Sequence, residues 1–144
     1  MIAPFIMLVD DEVPFVETMA KRLATRNIET ITAFSAEEGL EKLKENQNID
    51  VIILDVKMPG MNGLEMLKKI KTGFFRTEVI MLTGHATIEM GIDGMKLGAY
   101  DFLTKPCDIE ELVSKVKEAT KKKREHDDKI KEAEQKNLLK KLEP

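Results

Sequence analysis

The sequence alternates short apolar runs with segments of helical spacing, and this alternation restricts the fold more than any other feature. Apolar runs at 5–9, 51–54 and 79–82 contain β-branched residues and end at polar residues, as in strands buried on both faces of a parallel sheet. A weakly alternating run at 28–33 predicts a strand at or near a sheet edge, and 100–103 predict a fifth strand. Five strands alternating with five helices predict a doubly wound α/β sandwich.

Capping patterns mark two of the helix starts. Ser35 is followed three residues later by Glu38, and Asp108 by Glu111, the spacing of a capping box. The sequence therefore predicts helices that begin directly after Ser35 and after Asp108.

The helix predicted at 87–97 contains two glycines, Gly91 and Gly94. Each glycine costs about 1 kcal/mol relative to alanine, so we expect this helix to be the least stable of the five. Its apolar spacing consists of Ile88, Ile92, Met95 and Leu97.

The last helix is expected to extend beyond the body of the domain, because neither Gly nor Pro occurs between Pro106 and Pro144. We assign residues 1–120 to one domain and 121–144 to a helical extension or linker. The seam of this helix becomes polar at Lys123 and His126, which predicts a weak coiled coil at best.

Charge divides the chain in the same place. Residues 121–144 hold 9 of the 23 Lys and Arg but only 6 of the 26 Asp and Glu, so the body is acidic. An acidic body disfavours direct nucleic-acid binding. Acidic residues also interrupt the basic tail, which favours a solvated helix face.

Composition indicates a soluble protein. Of the 144 residues 42% are hydrophobic and 34% charged, and no apolar run approaches the 18 or so residues that cross a membrane. No leader resembling a signal peptide is visible, and the single cysteine, Cys107, excludes an internal disulfide. We expect no membrane contact and a cytoplasmic location.

Polar residues follow the apolar strands at their carboxyl ends: Asp10 and Asp11, Asp55, Thr83 and Lys105. Parallel strands bring these ends to one edge of the sheet, where ligands bind in such folds. Two or three carboxylates and a carbonyl suit Mg²⁺. An ammonium and a hydroxyl opposite them suit a phosphoryl group, with Asp55 as a nucleophile that forms an acyl phosphate.

Each of these residues also has a purely structural interpretation. Asp10 or Asp11 could cap the first helix, Thr83 could be an ordinary strand-end residue, and Lys105 could be solvated. The joint occurrence of these residues favours the functional interpretation.

The motifs resemble the receiver domain of two-component response regulators over about residues 4–120. They are Asp10-Asp11, Leu54-Asp55-x-x-Met58-Pro59-Gly60-Met61-Asn62-Gly63, Met81-Leu82-Thr83 and Gly98-Ala99-x-x-Phe102-Leu103-x-Lys105-Pro106. The resemblance implies a flavodoxin-like sheet with strand order 2-1-3-4-5 and a cis Lys105–Pro106 bond.

The resemblance also implies the site chemistry. Asp55 would accept a phosphoryl group from a sensor histidine kinase, and Lys105 would pair with that group. Mg²⁺ would bind Asp11 directly, with Asp10 close by and with Asp55 and the backbone carbonyl of Lys57 as further ligands.

A conformational switch follows from the same resemblance. The Thr83 hydroxyl would move toward the phosphoryl oxygens, and the aromatic ring of Phe102 would turn inward behind it. Phe102 stands where many members of the family have tyrosine. In the alternative interpretation Phe102 is an ordinary core residue with no part in the switch. The side chains of Lys57 and His85 occupy positions that tune loss of the phosphoryl group, although His85 could equally be a solvated loop residue. We expect Cys107 to be a partly buried packing thiol.

Three classes of function remain open from the sequence. The first is a phosphorylation switch that uses helix 4, strand 5 and helix 5 to control a partner, dimerisation or an output domain. A homodimer could form through the 87–120 face or the C-terminal helix. The second is a Mg²⁺-dependent aspartyl-phosphate phosphatase, although Lys57 stands where such an enzyme has a second acid. The third is a phosphate-independent dimerisation or docking module.

Overall fold

The computed structural model describes residues 3–84 and 87–143. Five strands alternate with five helices over this length. The elements are β1 Phe5–Val9, α1 Val13–Ala24, β2 Glu29–Ala33, α2 Ala36–Glu45, β3 Val51–Asp55, α3 Gly63–Gly73, β4 Glu78–Thr83, α4 Ile88–Lys96, β5 Asp101–Thr104 and α5 Ile109–Leu142.

All five strands are parallel and lie in the order β2-β1-β3-β4-β5, which confirms the predicted flavodoxin-like sheet. β3 occupies the centre, and its five residues are all buried. β2 lies at an edge with only Ala33 buried, which explains its weak apolar pattern.

Two hydrophobic layers cover the two faces of the sheet. Leu8 and Ile53 point into a layer shared with α1 and α5. Met7 and Ile52 point into the opposite layer, which is shared with α2 and α3. The alternation of neighbouring residues between layers is the two-residue period of a strand, so each central strand must be apolar throughout.

The predicted helix starts are present. The Ser35 hydroxyl accepts a hydrogen bond from the Glu38 backbone N–H at 3.1 Å, while the Glu38 carboxylate accepts one from Phe34. The Asp108 carboxylate accepts a hydrogen bond from the Glu110 N–H at 3.0 Å. These contacts satisfy backbone donors that an uncapped helix leaves without partners.

The apolar face predicted for α4 is wrong in two positions. Ile92 and Met95 are 44% and 39% exposed, whereas Gly91 and Gly94 face the sheet and are buried. A Cβ on Gly91 would lie 2.9 Å from Cδ2 of Phe102, so the helix approaches the sheet too closely for a side chain there. Hydrophobicity patterns give no weight to glycine and therefore place the buried face incorrectly.

Helix α5 continues without interruption to Leu142, as the absence of Gly and Pro predicts. Its extension is attached to the amino-terminal edge of the sheet by ion pairs to the buried carboxylate of Asp50. Arg124 donates to both carboxylate oxygens of Asp50 at 3.1 and 2.8 Å, and Lys123 lies 3.6 Å from the same carboxylate. Lys123, which is polar in the seam pattern, is therefore buried as an ion-pair partner.

Candidate functional site

The candidate site lies at the carboxyl edge of the sheet. Val9 of β1 is in register with Leu54 of β3, so Asp10 and Asp55 follow at the same level of adjacent strands. The loop after β5 brings Lys105 to this edge, where its ammonium reaches both carboxylates. The structure thus gathers residues that are 95 positions apart in sequence, as the parallel arrangement predicts.

Lys105 is held mainly by Asp10. Its Nζ lies 2.5 Å from Oδ2 of Asp10, 3.4 Å from Oε1 of Glu12 and 3.8 Å from Oδ1 of Asp55. Burial opposes the charge on the ammonium, but its hydrogen bond to Asp10 and the nearby carboxylates outweigh burial and raise the pKa of Lys105. The side chain therefore stays cationic beside Asp55.

Asp55 is a weaker acid than an ordinary aspartate. Burial, followed by the charge of Asp10, raises its pKa from 3.8 to about 6, although Lys105 and the backbone N–H of Lys57 act in the opposite direction. Its exposed fraction is 8%, so little solvent is available to offset the repulsion. The folded chain concentrates negative charge here without fully neutralising it.

A close backbone contact fixes the position of Asp55. Gly63, the first residue of α3, packs so near β3 that a Cβ there would lie 2.3 Å from the carbonyl oxygen of Asp55. The Gly63 N–H also donates to the Val56 carbonyl at 2.8 Å. Any larger residue would displace either the strand end or the helix.

Glu37 supports the loop between β3 and α3 from the neighbouring helix. Its Oε1 accepts a hydrogen bond from the Met61 N–H at 3.2 Å. This loop carries Lys57, so Glu37 helps to set the backbone around a proposed ligand. Sequence patterns gave no signal for this contact, because its partners are 24 residues apart.

Three carboxylates are arranged closely enough to share one cation. One oxygen each from Asp10, Asp11 and Asp55 lies within 4.8 Å of the others, and Asp11 is the most open of the three to solvent. Hard oxygen donors in a cluster with excess negative charge fit Mg²⁺, which keeps several water ligands. A bound cation would also offset the repulsion from Asp10, which adds to burial in raising the pKa of Asp55.

Thr83 and Phe102 pack against α4 next to this edge. The Thr83 hydroxyl donates to the Leu103 carbonyl at 3.4 Å, and Thr83 is fully buried. Phe102 is partly buried, and both side chains lie so near Gly91 of α4 that a Cβ there would be 2.9 Å from Phe102 and 3.0 Å from Thr83. The hydroxyl is thus bonded within the sheet by one long hydrogen bond, which is a contact that a stronger acceptor could replace.

The remaining site residues lie at the margin. The Lys57 side chain is exposed, and His85 lies outside the described residues. Cys107 is a partly buried thiol packed on the core beside α1, and burial raises its pKa, so it is not a reactive thiolate. The Lys105–Pro106 bond is cis, as the resemblance implies.

A doubly wound parallel sheet in the order 2-1-3-4-5 places the chain in the class of flavodoxin-like α/β folds, and an acidic cluster lies at the carboxyl edge of this sheet. The chain belongs to the response regulator receiver domain family, whose family model matches residues 6–117. This match confirms the resemblance found in the sequence.

Several solved structures and curated proteins are similar to this chain. A response regulator receiver domain protein from Clostridium thermocellum is 36% identical, with a TM-score of 0.81, covering 84% of this chain and 97% of that one. The structure of adenylate cyclase from Rhodopirellula baltica is 27% identical, with a TM-score of 0.81, and the match covers 97% of this chain and 99% of that one. The DNA-binding transcriptional regulator NtrC from Escherichia coli K12 is 34% identical over 114 residues, which are 79% of this chain and 24% of NtrC.

The chain spans only about a quarter to a half of the length of the first curated relatives that it matches. Across residues 3–84 and 87–143, none of the helices combines the length and the apolar character needed to cross a bilayer. The cytoplasmic location stays a prediction.

Proposed function

We propose that Asp55 accepts a phosphoryl group from a sensor histidine kinase and that this chain is a phosphorylation switch. The observation that carries the proposal is the convergence of a buried carboxylate, two further carboxylates and one ammonium at the same edge of the sheet. Asp10 also lies beside Lys105, and the resemblance to receiver domains favours Asp55 over Asp10 as the acceptor.

Asp10, Asp11, Asp55 and the backbone carbonyl of Lys57 would hold Mg²⁺. When bound, the ion supplies positive charge that screens the carboxylates from an incoming phosphoryl group. The three clustered carboxylates support this assignment, and the charge of Asp10 adds to burial in raising the pKa of Asp55.

The transfer itself requires a nucleophile and compensation of charge. A carboxylate oxygen of Asp55 attacks phosphorus, the bond from phosphorus to the kinase histidine nitrogen breaks, and an acyl phosphate forms. The nitrogen leaves with the bonding electron pair. The Lys105 ammonium, which is 3.8 Å from Asp55 in the absence of a phosphoryl group, turns to pair with the new phosphoryl oxygens.

Thr83 and Phe102 are the proposed switch. A phosphoryl oxygen on Asp55 offers the Thr83 hydroxyl a charged acceptor in place of the Leu103 carbonyl. Movement of Thr83 frees space in front of Phe102, and both side chains contact α4 at Gly91, so α4 receives the change directly. We propose the Lys57 and His85 side chains as modulators of dephosphorylation.

We propose that the output uses α4, β5 and α5. NtrC is named as a DNA-binding transcriptional regulator, and this chain matches a quarter of it, so a role in controlling an output domain is consistent with the match. A homodimer through residues 87–120 or through the helical extension 121–144 is the alternative readout. We assign no enzymatic turnover and no direct nucleic-acid or membrane binding to this chain.

Incubation with acetyl phosphate and Mg²⁺ tests the proposal. We expect the intact mass to rise by about 80 Da, as for one phosphoryl group. The matched variant Asp55→Asn, which retains the shape of the side chain, should gain no mass. A wild-type protein that stays unmodified, or a variant that is modified equally, would contradict the assignment.

Two further measurements separate the other classes. A phosphatase would hydrolyse added phosphate monoesters with turnover, whereas a switch should lose only its own phosphoryl group. A phosphate-independent docking module would not respond to beryllofluoride with Mg²⁺, whereas a switch should change in oligomeric state or in the 84–106 region.

A further inference from the structure

The Lys105 ammonium has a fourth neighbour that carries no charge. Its Nζ lies 4.5 Å from the ring centroid of Phe15 on α1. Phe15 is partly buried and packs against the core layer beneath α1 and α5. The same ring therefore touches the core and forms one wall around the end of Lys105.

The carboxylates alone would not hold Lys105 where a phosphoryl group arrives. The nearest is Asp10 at 2.5 Å, whereas Asp55 is 3.8 Å away, so electrostatic attraction favours the side of Asp10. An aromatic face attracts a cation without adding a negative charge that would repel phosphate. The ring can therefore hold the ammonium of Lys105 while the ammonium exchanges a carboxylate partner for the phosphoryl group.

Phe15 also lacks the atoms needed for other roles at this site. It can neither ligate a metal nor donate or accept a proton. Loss of its aromatic face should therefore alter Lys105 and leave the acidic cluster unchanged.

We propose that Phe15 is a positioning residue for Lys105, holding the ammonium by its aromatic face beside Asp55. This inference rests on the proposed phosphoryl acceptance at Asp55. It gives α1 an indirect part in recognising the phosphoryl group, because Phe15 acts through Lys105 and does not contact the group.

Two substitutions separate the aromatic face from simple packing. Phe15→Leu keeps an apolar side chain but removes the ring, whereas Phe15→Tyr keeps the ring. Phe75→Leu provides a matched control, because Phe75 is 57% exposed and lies in the α3–β4 connection at the opposite edge of the sheet. Each variant is made in the full chain, and its affinity for Mg²⁺ alone is measured in a separate experiment.

The first readout requires no ligand. In the free protein, nuclear magnetic resonance of the Lys105 side chain should show a ring-current shift of its Hε protons, assigned by comparison with Lys105→Arg. We expect Phe15→Leu to abolish this shift, while Phe15→Tyr and Phe75→Leu preserve it. An unchanged Lys105 spectrum in Phe15→Leu would overturn the inference.

The second readout is affinity for beryllofluoride in the presence of saturating Mg²⁺. A partly desolvated cation–π contact predicts a roughly 2- to 10-fold loss of affinity in Phe15→Leu, with recovery in Phe15→Tyr. The affinity for Mg²⁺ alone should be equal in all variants. Equal losses in the leucine and tyrosine variants, or no loss in either, would overturn the inference.

The two hypotheses fail in different ways. If wild-type protein binds no beryllofluoride and accepts no phosphoryl group, the proposed function is wrong, and the Lys105 spectrum still decides whether Phe15 holds the ammonium. If wild-type protein is modified normally and Phe15→Leu matches it in either readout, only the role of Phe15 is wrong.

Discussion

Replacing Asp55 with asparagine should stabilise the metal-free domain, because burial and the charge of Asp10 disfavour the ionised carboxylate in the folded state. Its folded pKa of about 6 exceeds the ordinary value of 3.8, with burial and then Asp10 as the leading causes. A raised pKa means that the contribution of Asp55 to stability is present below pH 4 and is lost as the pH rises through 6. Asparagine carries no charge to desolvate and has nearly the same shape.

The size of the effect follows from the pKa. A difference of about 2 pKa units corresponds to about 3 kcal/mol at pH 7.5, where the wild-type carboxylate is ionised. For a chain of this length, 3 kcal/mol corresponds to a rise of roughly 6–12 °C in Tm. The closest partner of Lys105 is Asp10, so the ammonium retains its main ion pair in the variant.

Thermal unfolding in a chelator, measured between pH 4 and 8, tests this prediction. We expect wild-type protein and Asp55→Asn to unfold together near pH 4 and to separate as the pH passes 6, with the variant more stable. Added Mg²⁺ should raise the Tm of the wild type more than that of the variant.

The matched control is Asp128→Asn, which removes an exposed carboxylate on the helical extension and should leave the Tm nearly unchanged. A variant that is no more stable than the wild type at pH 7.5 in chelator would refute the reasoning. It would mean that Lys105 already compensates the charge of Asp55.

Two further substitutions test the packing around the site and the attachment of α5. Gly91→Ala should destabilise the domain despite the better helix propensity of alanine, because the new Cβ would lie 2.9 Å from Phe102 and 3.0 Å from Thr83. Urea unfolding measures the change in the free energy of unfolding. A variant more stable than the wild type would contradict the prediction. Asp50→Asn should cost about 2 kcal/mol or more, since it removes the buried carboxylate with which Arg124 and Lys123 are paired. Hydrogen exchange should then speed up in residues 121–131, and unchanged exchange there would show that the ion pair does not hold the extension.

The strand ends of the site could be predicted from the sequence for a simple physical reason. Buried parallel strands are continuous apolar runs, and the residue after each run lies at one shared edge. Asp10, Asp55 and Lys105 are therefore placed near each other by topology alone, and the structure brings them within ion-pair distance.

Contacts between side chains that are far apart in the sequence leave no comparable pattern in it. The pair of Asp50 and Arg124 joins residues 74 positions apart, and Phe15 meets Lys105 from another helix. Neither pairing follows a helical or strand period, and both depend on how the elements pack. The buried face of α4 escaped prediction for another reason, since Gly91 contributes close approach rather than hydrophobic area.

The central claim is that Asp55, and no other carboxylate in the acidic cluster, takes the phosphoryl group. Treatment with acetyl phosphate and Mg²⁺, followed by borohydride reduction, converts an aspartyl phosphate to homoserine, and peptide fragmentation then locates it. We predict homoserine at Asp55 alone. The tryptic peptide 45–57 contains both Asp50 and Asp55, and fragmentation of this peptide distinguishes the two positions. Homoserine at Asp10 or Asp11 with Asp55 intact, or its absence from all three, would contradict the account.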